Sequence, residues 1–263
     1  MQPTQFVRNG EINIQVFVQG AGSTVVVLPS YGRDGGDDYN YFTESLVDAG
    51  YLVLRPQPRG TFESSGPMVS VTLQDLAADE AAVIDTLGRG RGIVIGHAFG
   101  TFLAEVSSVH YPEKILAMVV AAPGGTDLPP AIAKLPFVAR NTSLPLAKRL
   151  KALESAFLAP NHDAHIWLDG WYPEVLAMEY GAVEAYGSLA HQWAGTNSTQ
   201  VLELIPADYP FQPKSEWNLT TNLYPERATS KVIADAAHAL FPEKGNAVVD
   251  AILPWLHQQS SKL

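Results

Sequence analysis

The residues best suited to chemistry form a glycine-flanked turn, Gly96-His97-Ala98-Phe99-Gly100. An apolar run precedes the turn and a helical pattern follows it, which is the context of a nucleophile elbow. Glycine is needed at both flanks because a side chain there would strike neighbouring backbone, while the central residue points into a pocket. The central residue here is Ala98, which has no heteroatom to attack a carbonyl. The turn predicts an acyl-transfer site whose nucleophile position carries alanine.

An acid and a base follow the turn in the chain order that such a site uses. Asp208 and His238 each lie just past an apolar run late in the chain. We expect His238 to be the general base, with one ring nitrogen bonded to the Asp208 carboxylate and the other facing Ala98. Asp235 is a rival acid, but it lies three residues before the histidine and favours a turn or capping role.

The loop after the first central strand is expected to complete an oxyanion hole. Its donors would be the backbone amide of Phe99 together with Ser30 and Tyr31. Ser30 is also a candidate nucleophile, because its hydroxyl would stand across the pocket mouth from Ala98 and within reach of His238. The alternative is that the Ser30 hydroxyl caps backbone amides.

About 80 residues separate two of the predicted strands, far more than a usual crossover, so residues 126–199 are predicted to form a helical lid. Aromatic side chains are frequent there and would wall an apolar pocket above the elbow, although many of them would instead pack the lid onto the body. The candidates for substrate contact are His97, Tyr31, Trp167, Trp171 and Trp193. The histidines lack the spacing of metal ligands, so no metal site is expected.

Short apolar runs alternate with segments of helical period, which predicts an α/β fold with a mostly parallel sheet covered by helices on both faces. The core would comprise residues 1–125 and 200–263. Strands are predicted at residues 12–18, 24–28, 51–55, 92–95, 115–121, 201–205 and 231–234. Helices are predicted at residues 41–49, 72–87, 102–110, 144–157, 174–194 and 246–257.

Net charge and composition exclude or disfavour several classes of partner and of chemistry. The 263 residues carry a formal net charge of −10 without a basic run, which disfavours nucleic acid and anionic membranes as partners. No cysteine is present, so disulfides, thiolate metal sites and cysteine nucleophiles are excluded. We expect a cytoplasmic protein that binds a small molecule, whereas the oligomeric state is not indicated by the sequence.

Taken together, these motifs resemble the α/β-hydrolase superfamily over essentially the whole chain. The segments Leu28-Pro29-Ser30 with Gly32-Arg33, Arg55-Pro56-Gln57-Pro58-Arg59-Gly60, and the elbow turn resemble a subgroup of small microbial members with alanine at the elbow. The resemblance implies attack on a carboxylic ester, lactone or related carbonyl without a cofactor.

Three explanations of Ala98 follow: an engineered replacement of serine, a natural enzyme that uses other groups, or a natural pseudoenzyme that binds a ligand. We expect a cofactor-independent hydrolase of a small, largely apolar ester or lactone. The alternatives are a ligand-binding or sensor protein, or an enzyme that relies on Ser30 or on His238 as a direct base.

Overall fold

A computed structural model describes residues 3–125, 128–187 and 199–261 of the chain. These residues form an eight-stranded sheet in the order β1-β2-β4-β3-β5-β6-β7-β8. The strands are β1 (Thr4–Asn9), β2 (Ile12–Gly20), β3 (Ser23–Leu28), β4 (Tyr51–Pro56), β5 (Gly92–His97), β6 (Ile115–Ala121), β7 (Gln200–Pro206) and β8 (Ala228–Ile233). From β4 to β8 neighbouring strands are parallel, whereas β1 and β2 pair antiparallel at one edge.

The central strands β3, β5 and β6 are apolar runs because both faces of the sheet are covered. The sequence pattern located seven of the eight strands and missed β1. In β1, Val7 is the buried position and its neighbours along the strand are polar or exposed, so its apolar signal is too weak to recognise. Strand β8 begins three residues earlier than predicted, because its first half is polar at the other edge of the sheet.

Ten α-helices surround the sheet in the described part of the chain. They are α1 (Asn40–Asp48), α2 (Leu73–Leu87), α3 (Phe99–His110), α4 (Pro130–Ala133), α5 (Leu135–Ala139), α6 (Leu146–Ala156), α7 (Pro173–Tyr186), α8 (Leu219–Leu223), α9 (Leu240–Glu243) and α10 (Gly245–Ser260). Helix α2 begins at a capping box in which Thr72 and Asp75 exchange side-chain and backbone hydrogen bonds. None of the described helices is long and apolar enough to cross a membrane.

Two apolar clusters lie on the two faces of the sheet. One contains residues of α1 and α10, and the other contains residues of α2 and α3. Between β6 and β7, where the sequence predicts a lid, the chain forms α4 to α7; we call residues 126–199 the lid segment. Helix α6 and the 3₁₀ helix Ala164–Trp167 join the first cluster, whereas one face of α7 joins the second. The described part of the lid segment therefore contacts the apolar clusters on both faces of the sheet.

Candidate functional site

The glycine-flanked turn joins β5 to α3 as predicted. Ala98 stands at its tip with φ 49° and ψ −102°, a conformation that L-residues rarely adopt. A Cβ on Gly96 would lie 2.2 Å from the Gly100 carbonyl oxygen, and one on Gly100 would lie 2.5 Å from the Leu28 carbonyl oxygen. Close backbone packing of β3, β5 and α3 thus explains both glycines and directs the Ala98 methyl group into a cavity.

His238 lies in this cavity. Its hydrogen-bond partner does not come from the elbow but from the loop that follows β3, residues 29–36, which we call the oxyanion loop. His238 Nε2 and Ser30 Oγ are 2.9 Å apart, and both side chains are buried. The sequence placed Ser30 within reach of His238, and the two are in contact. Since Ala98 offers no hydroxyl, Ser30 supplies the hydroxyl beside the histidine.

The predicted hydrogen bond between Asp208 and His238 is wrong. Asp208 is exposed, and the other ring nitrogen of His238, Nδ1, has no hydrogen-bond partner among the described residues. Asp235 does not replace it, because this exposed carboxylate pairs with Lys244 and lies 3.3 Å from His162 Nε2. In the described part of the chain, His238 therefore has no carboxylate to orient its ring or to stabilise its protonated form.

Tyr209 takes the place that the sequence analysis gave to Asp208. After β7 the chain turns at residues 207–208, which leaves Asp208 exposed and buries Tyr209. Its ring centroid is 5.6 Å from that of His238, and its hydroxyl donates to the Ala122 carbonyl oxygen at 2.8 Å.

His97 was predicted to contact substrate, but it lies behind the cavity in a buried chain of hydrogen bonds. Its Nε2 is 2.7 Å from the His238 carbonyl oxygen, which can only accept, so Nε2 carries the proton. The Tyr39 hydroxyl then donates to His97 Nδ1 at 2.8 Å and accepts from the Ser30 backbone N–H at 3.2 Å. This chain joins the Ser30 backbone to the His238 backbone, and nothing in the local sequence pattern pointed to Tyr39.

Two further contacts hold the loop around His238. The Glu243 carboxylate accepts from the backbone N–H of Ala237 at 2.7 Å and of Ala159 at 2.5 Å. The N–H of Ala239 donates to the Phe157 carbonyl oxygen at 2.8 Å. Both contacts tie the residues beside His238 to the lid segment.

The cavity above Ala98 has a volume of about 160 Å³, and His238 is the one ionisable acid or base, tyrosines apart, among its described lining residues. The lining comprises Ser30, Tyr31, Ala98, Phe102, Gly124, Gly125, Leu128, Pro136, Phe157, Trp171, Tyr180, Tyr209, Phe211 and His238.

Of the aromatic residues predicted to contact substrate, Tyr31 and Trp171 line the cavity. Trp167 does not: it is fully buried, its ring packs on His238 and its Nε1 donates to Asp38. Trp193 lies outside the described residues.

Tyr31 lines the cavity and Phe99 directly follows Ala98, which also lines it; the backbone N–H groups of both have no acceptor among the described residues. Phe99 is the first residue of α3, so its N–H has no partner within the helix. Ser30, by contrast, donates its backbone N–H to Tyr39 and offers only its hydroxyl. The two free amides suit a developing negative charge on a substrate oxygen.

Burial sets the charge state of the two histidines. It lowers the pKa of His238 well below the usual value, with smaller contributions from His97 and the Arg33 guanidinium. Burial also lowers the pKa of His97 to about 3. Both rings are therefore neutral near pH 7. In the described part of the chain, no three histidine or carboxylate side chains converge in a way that would hold a metal ion.

Known proteins of similar sequence or structure share the α/β-hydrolase fold. The family model for the α/β-hydrolase fold matches residues 23–165, just over half of the chain. A 2-hydroxy-6-oxononadienedioate/2-hydroxy-6-oxononatrienedioate hydrolase from Pseudomonas sp is 32% identical over 124 residues, 45% of this chain and 44% of that protein. Rhodomycin D methylesterase from Streptomyces peucetius is 27% identical over 133 residues, 48% of this chain and 44% of that protein. The chain thus matches less than half the length of these relatives.

Among solved structures, a thermophilic esterase from Thermogutta terrifontis superposes with a TM-score of 0.78 at 20% identity and covers 99% of both chains. Identity at this level shows the fold alone. The family match, the eight-stranded sheet and the elbow agree, and the chain belongs to the α/β-hydrolase fold family.

Proposed function

We propose that this protein is a cofactor-independent hydrolase of a small, uncharged, largely apolar ester or lactone, in which Ser30 and His238 perform the chemistry usually given to an elbow serine and its histidine. The observation that carries the proposal is the 2.9 Å contact between Ser30 Oγ and His238 Nε2 inside the cavity. A serine hydroxyl bonded to a neutral imidazole is the pair that acyl transfer requires.

In this mechanism Ser30 Oγ attacks the carbonyl carbon while His238 Nε2 accepts the hydroxyl proton. The carbonyl oxygen, now negatively charged, receives hydrogen bonds from the N–H groups of Tyr31 and Phe99. His238 then gives the proton to the leaving alkoxide, and water releases the acyl group from Ser30 by the reverse sequence. Ala98 takes no part in proton transfer, and its methyl group leaves room for the substrate.

The cavity supports a neutral substrate of modest size. Its volume is similar to engineered cavities of roughly 150 Å³ that accept benzene. The Pseudomonas relative is named for hydrolysing dicarboxylates, and a carboxylate in this cavity would meet no lysine or arginine among the described lining residues. Rhodomycin D methylesterase is named for an ester, which is closer to what we propose.

The test is turnover of neutral aryl esters and lactones, such as phenyl acetate, by the protein and its variants. We expect saturable hydrolysis that Ser30→Ala and His238→Ala each reduce by about 10³-fold or more. Ser108→Ala is a matched control, because this serine is also buried but lies near the far end of α3. Equal activity of Ser30→Ala and the unaltered protein would refute Ser30 as nucleophile, and loss only in His238→Ala would leave His238 acting directly on water.

A second candidate, a ligand-binding protein without turnover, is favoured by a specific observation. The elbow carries Ala98, and the position facing His238 carries Tyr209 in place of a carboxylate. If no ester or lactone is hydrolysed, ligand-dependent increases in thermal stability would identify compounds that fill the cavity.

A further inference from the structure

The carboxyl group of Glu179, on α7, is fully buried against the loop that carries Ser30 and Tyr31. Its Oε2 accepts a hydrogen bond from the Gly32 backbone N–H at 2.6 Å. The next residue, Tyr180, packs its ring on that of Tyr31 with centroids 4.6 Å apart. Two successive residues of the lid segment thus contact two successive residues of the oxyanion loop.

Both peptide groups that flank Gly32 are held from the lid segment. Glu179 holds the N–H of the peptide group between Tyr31 and Gly32, and the Tyr172 N–H donates to the Gly32 carbonyl oxygen at 2.8 Å. Gly32 has φ +59°, and a Cβ there would lie 2.7 Å from the Leu176 Cβ. The close approach of α7 therefore requires glycine, whose backbone is free to rotate unless its hydrogen bonds restrain it.

We propose that Glu179 is a positioning residue of the active site, whose carboxyl group fixes the peptide group after Tyr31 and so directs the Tyr31 N–H at the substrate carbonyl oxygen. This inference rests on the proposed function. Without an acceptor the buried Gly32 N–H would lose its hydrogen bond, which costs free energy and favours rotation of that peptide group. The Tyr31 N–H belongs to the preceding peptide group, which is joined to this one through the Tyr31 Cα, so loss of the Gly32 hydrogen bond removes a restraint on the direction of the Tyr31 N–H.

The geometry calls for an acceptor at Glu179 and not for a negative charge. Oε1 of Glu179 has no hydrogen-bond partner among the described residues, and burial raises the pKa of this carboxyl group well above its usual value. A charge behind the Tyr31 amide would also oppose the charge that develops on the substrate oxygen. A glutamine side chain, neutral and able to accept from Gly32, is thus a fair substitute.

Glu80 on α2 is a matched control. It is buried, and both Glu80 and Glu179 line a narrow crevice between α2, α3 and α7. One oxygen of Glu80 has no hydrogen-bond partner among the described residues. Its other oxygen accepts from the Ser107 hydroxyl at 2.7 Å, and no hydrogen bond joins its side chain to the Gly32 N–H. Replacing Glu80 removes a similar buried carboxyl group without touching the Gly32 N–H.

The kinetic experiment compares Glu179→Leu, Glu179→Gln and Glu80→Leu in hydrolysis of phenyl acetate, with benzyl alcohol as an unreactive ligand. We expect Glu179→Leu to lower kcat about 100-fold, the effect of losing one oxyanion donor, with KM and the Kd of benzyl alcohol within about twofold. Glu179→Gln should restore kcat to within about fivefold, and Glu80→Leu should leave it unchanged. Equal kcat in Glu179→Leu and the unaltered protein, or equal losses in Glu179→Leu and Glu80→Leu, would overturn the proposal.

Backbone amide exchange measured by NMR gives a readout that needs no turnover. The Gly32 N–H should be protected in the unaltered protein and in Glu179→Gln, and should exchange faster in Glu179→Leu. If Glu179→Leu does not fold, Glu179→Ala serves for both measurements. Unchanged protection would refute the positioning role, whereas loss of protection in a protein that hydrolyses no ester would refute only the proposed function.

Discussion

At the scale of single residues, the site keeps a histidine and replaces both of the groups that normally accompany it. Ala98 stands where a nucleophile is expected, and Tyr209 faces His238 where a carboxylate is expected. Ser30 supplies a hydroxyl from a different loop. An engineered exchange of one serine would account for Ala98 but not for Tyr209, so the residue-level geometry favours a natural site of different construction.

Restoring a hydroxyl at the elbow is therefore expected to be insufficient. Ala98→Ser should hydrolyse phenyl acetate weakly through the new hydroxyl, because His238 already contacts Ser30 and no carboxylate of the described residues bonds to it. Adding Tyr209→Asp should raise kcat by more than about tenfold, since loss of the acid in a serine protease lowers kcat about 10⁴-fold. Adding Asp208→Asn to Ala98→Ser is the control and should change nothing, as Asp208 is exposed. A drop in activity with Asp208→Asn would contradict the assignment of position 209.

At the scale of elements, the site depends on how closely β3, β5 and α3 approach one another. The strained turn at Ala98 is possible because Gly96 and Gly100 let backbone atoms meet directly. The lid segment contributes in a second way, since α7 contacts the oxyanion loop through Glu179 and Tyr180. The groups of the candidate site are thus positioned by contacts between elements distant in sequence.

Gly100→Ala tests the packing at the elbow. Its Cβ would lie 2.5 Å from the Leu28 carbonyl oxygen, so we expect a loss of about 3 kcal/mol or more in the free energy of unfolding and a displaced elbow. Gly181→Ala is the matched control, because Gly181 lies within α7 with open space around its Cβ position. That variant should be neutral or stabilised by up to about 1 kcal/mol. Urea denaturation measures both, and equal effects would contradict the packing argument.

At the scale of the whole molecule, the fold buries several ionisable groups whose pKa values shift in opposite directions. Burial lowers the pKa of His97 to about 3 and that of His238 well below its usual value. These histidines contribute stability that is lost as pH falls below their unfolded value of about 6.5. Burial raises the pKa of Glu80 to about 7, and those of Glu105 and Glu179 well above normal. These carboxyl groups act in the opposite sense, since the folded protein retains their protons longer.

Glu80→Gln isolates one of these contributions. Stability linked to Glu80 is fully present below the usual pKa of 4.5 and is lost progressively until pH passes its folded value of about 7. Glutamine still accepts from Ser107 but cannot ionise. The free energy of unfolding of the unaltered protein, relative to the variant, should fall by about 1.4 kcal/mol per pH unit between about pH 5 and 7 and then level off. A difference that is constant from pH 5 to 8 would show that Glu80 titrates normally.

The sequence by itself determined the class of fold, the strand-turn-helix at Ala98 and the loop that brings Ser30 near His238. These features follow from local patterns: apolar runs of strand length, helical periodicity, and glycines where backbone conformation or close packing demands them. The weak edge strand β1 escaped this reasoning because one buried side chain in six leaves little pattern.

Only the tertiary structure decided which side chains face the cavity. Asp208 and Tyr209 are neighbours, yet Asp208 lies exposed in the turn after β7 and Tyr209 is buried, so the choice depends on how the chain leaves β7 and packs against β8. Other contacts at the site also join residues far apart in sequence. His97 and Trp167 are buried against His238, and Glu179 contacts Gly32. Such contacts arise from the packing of layers on the sheet, and no local pattern encodes them.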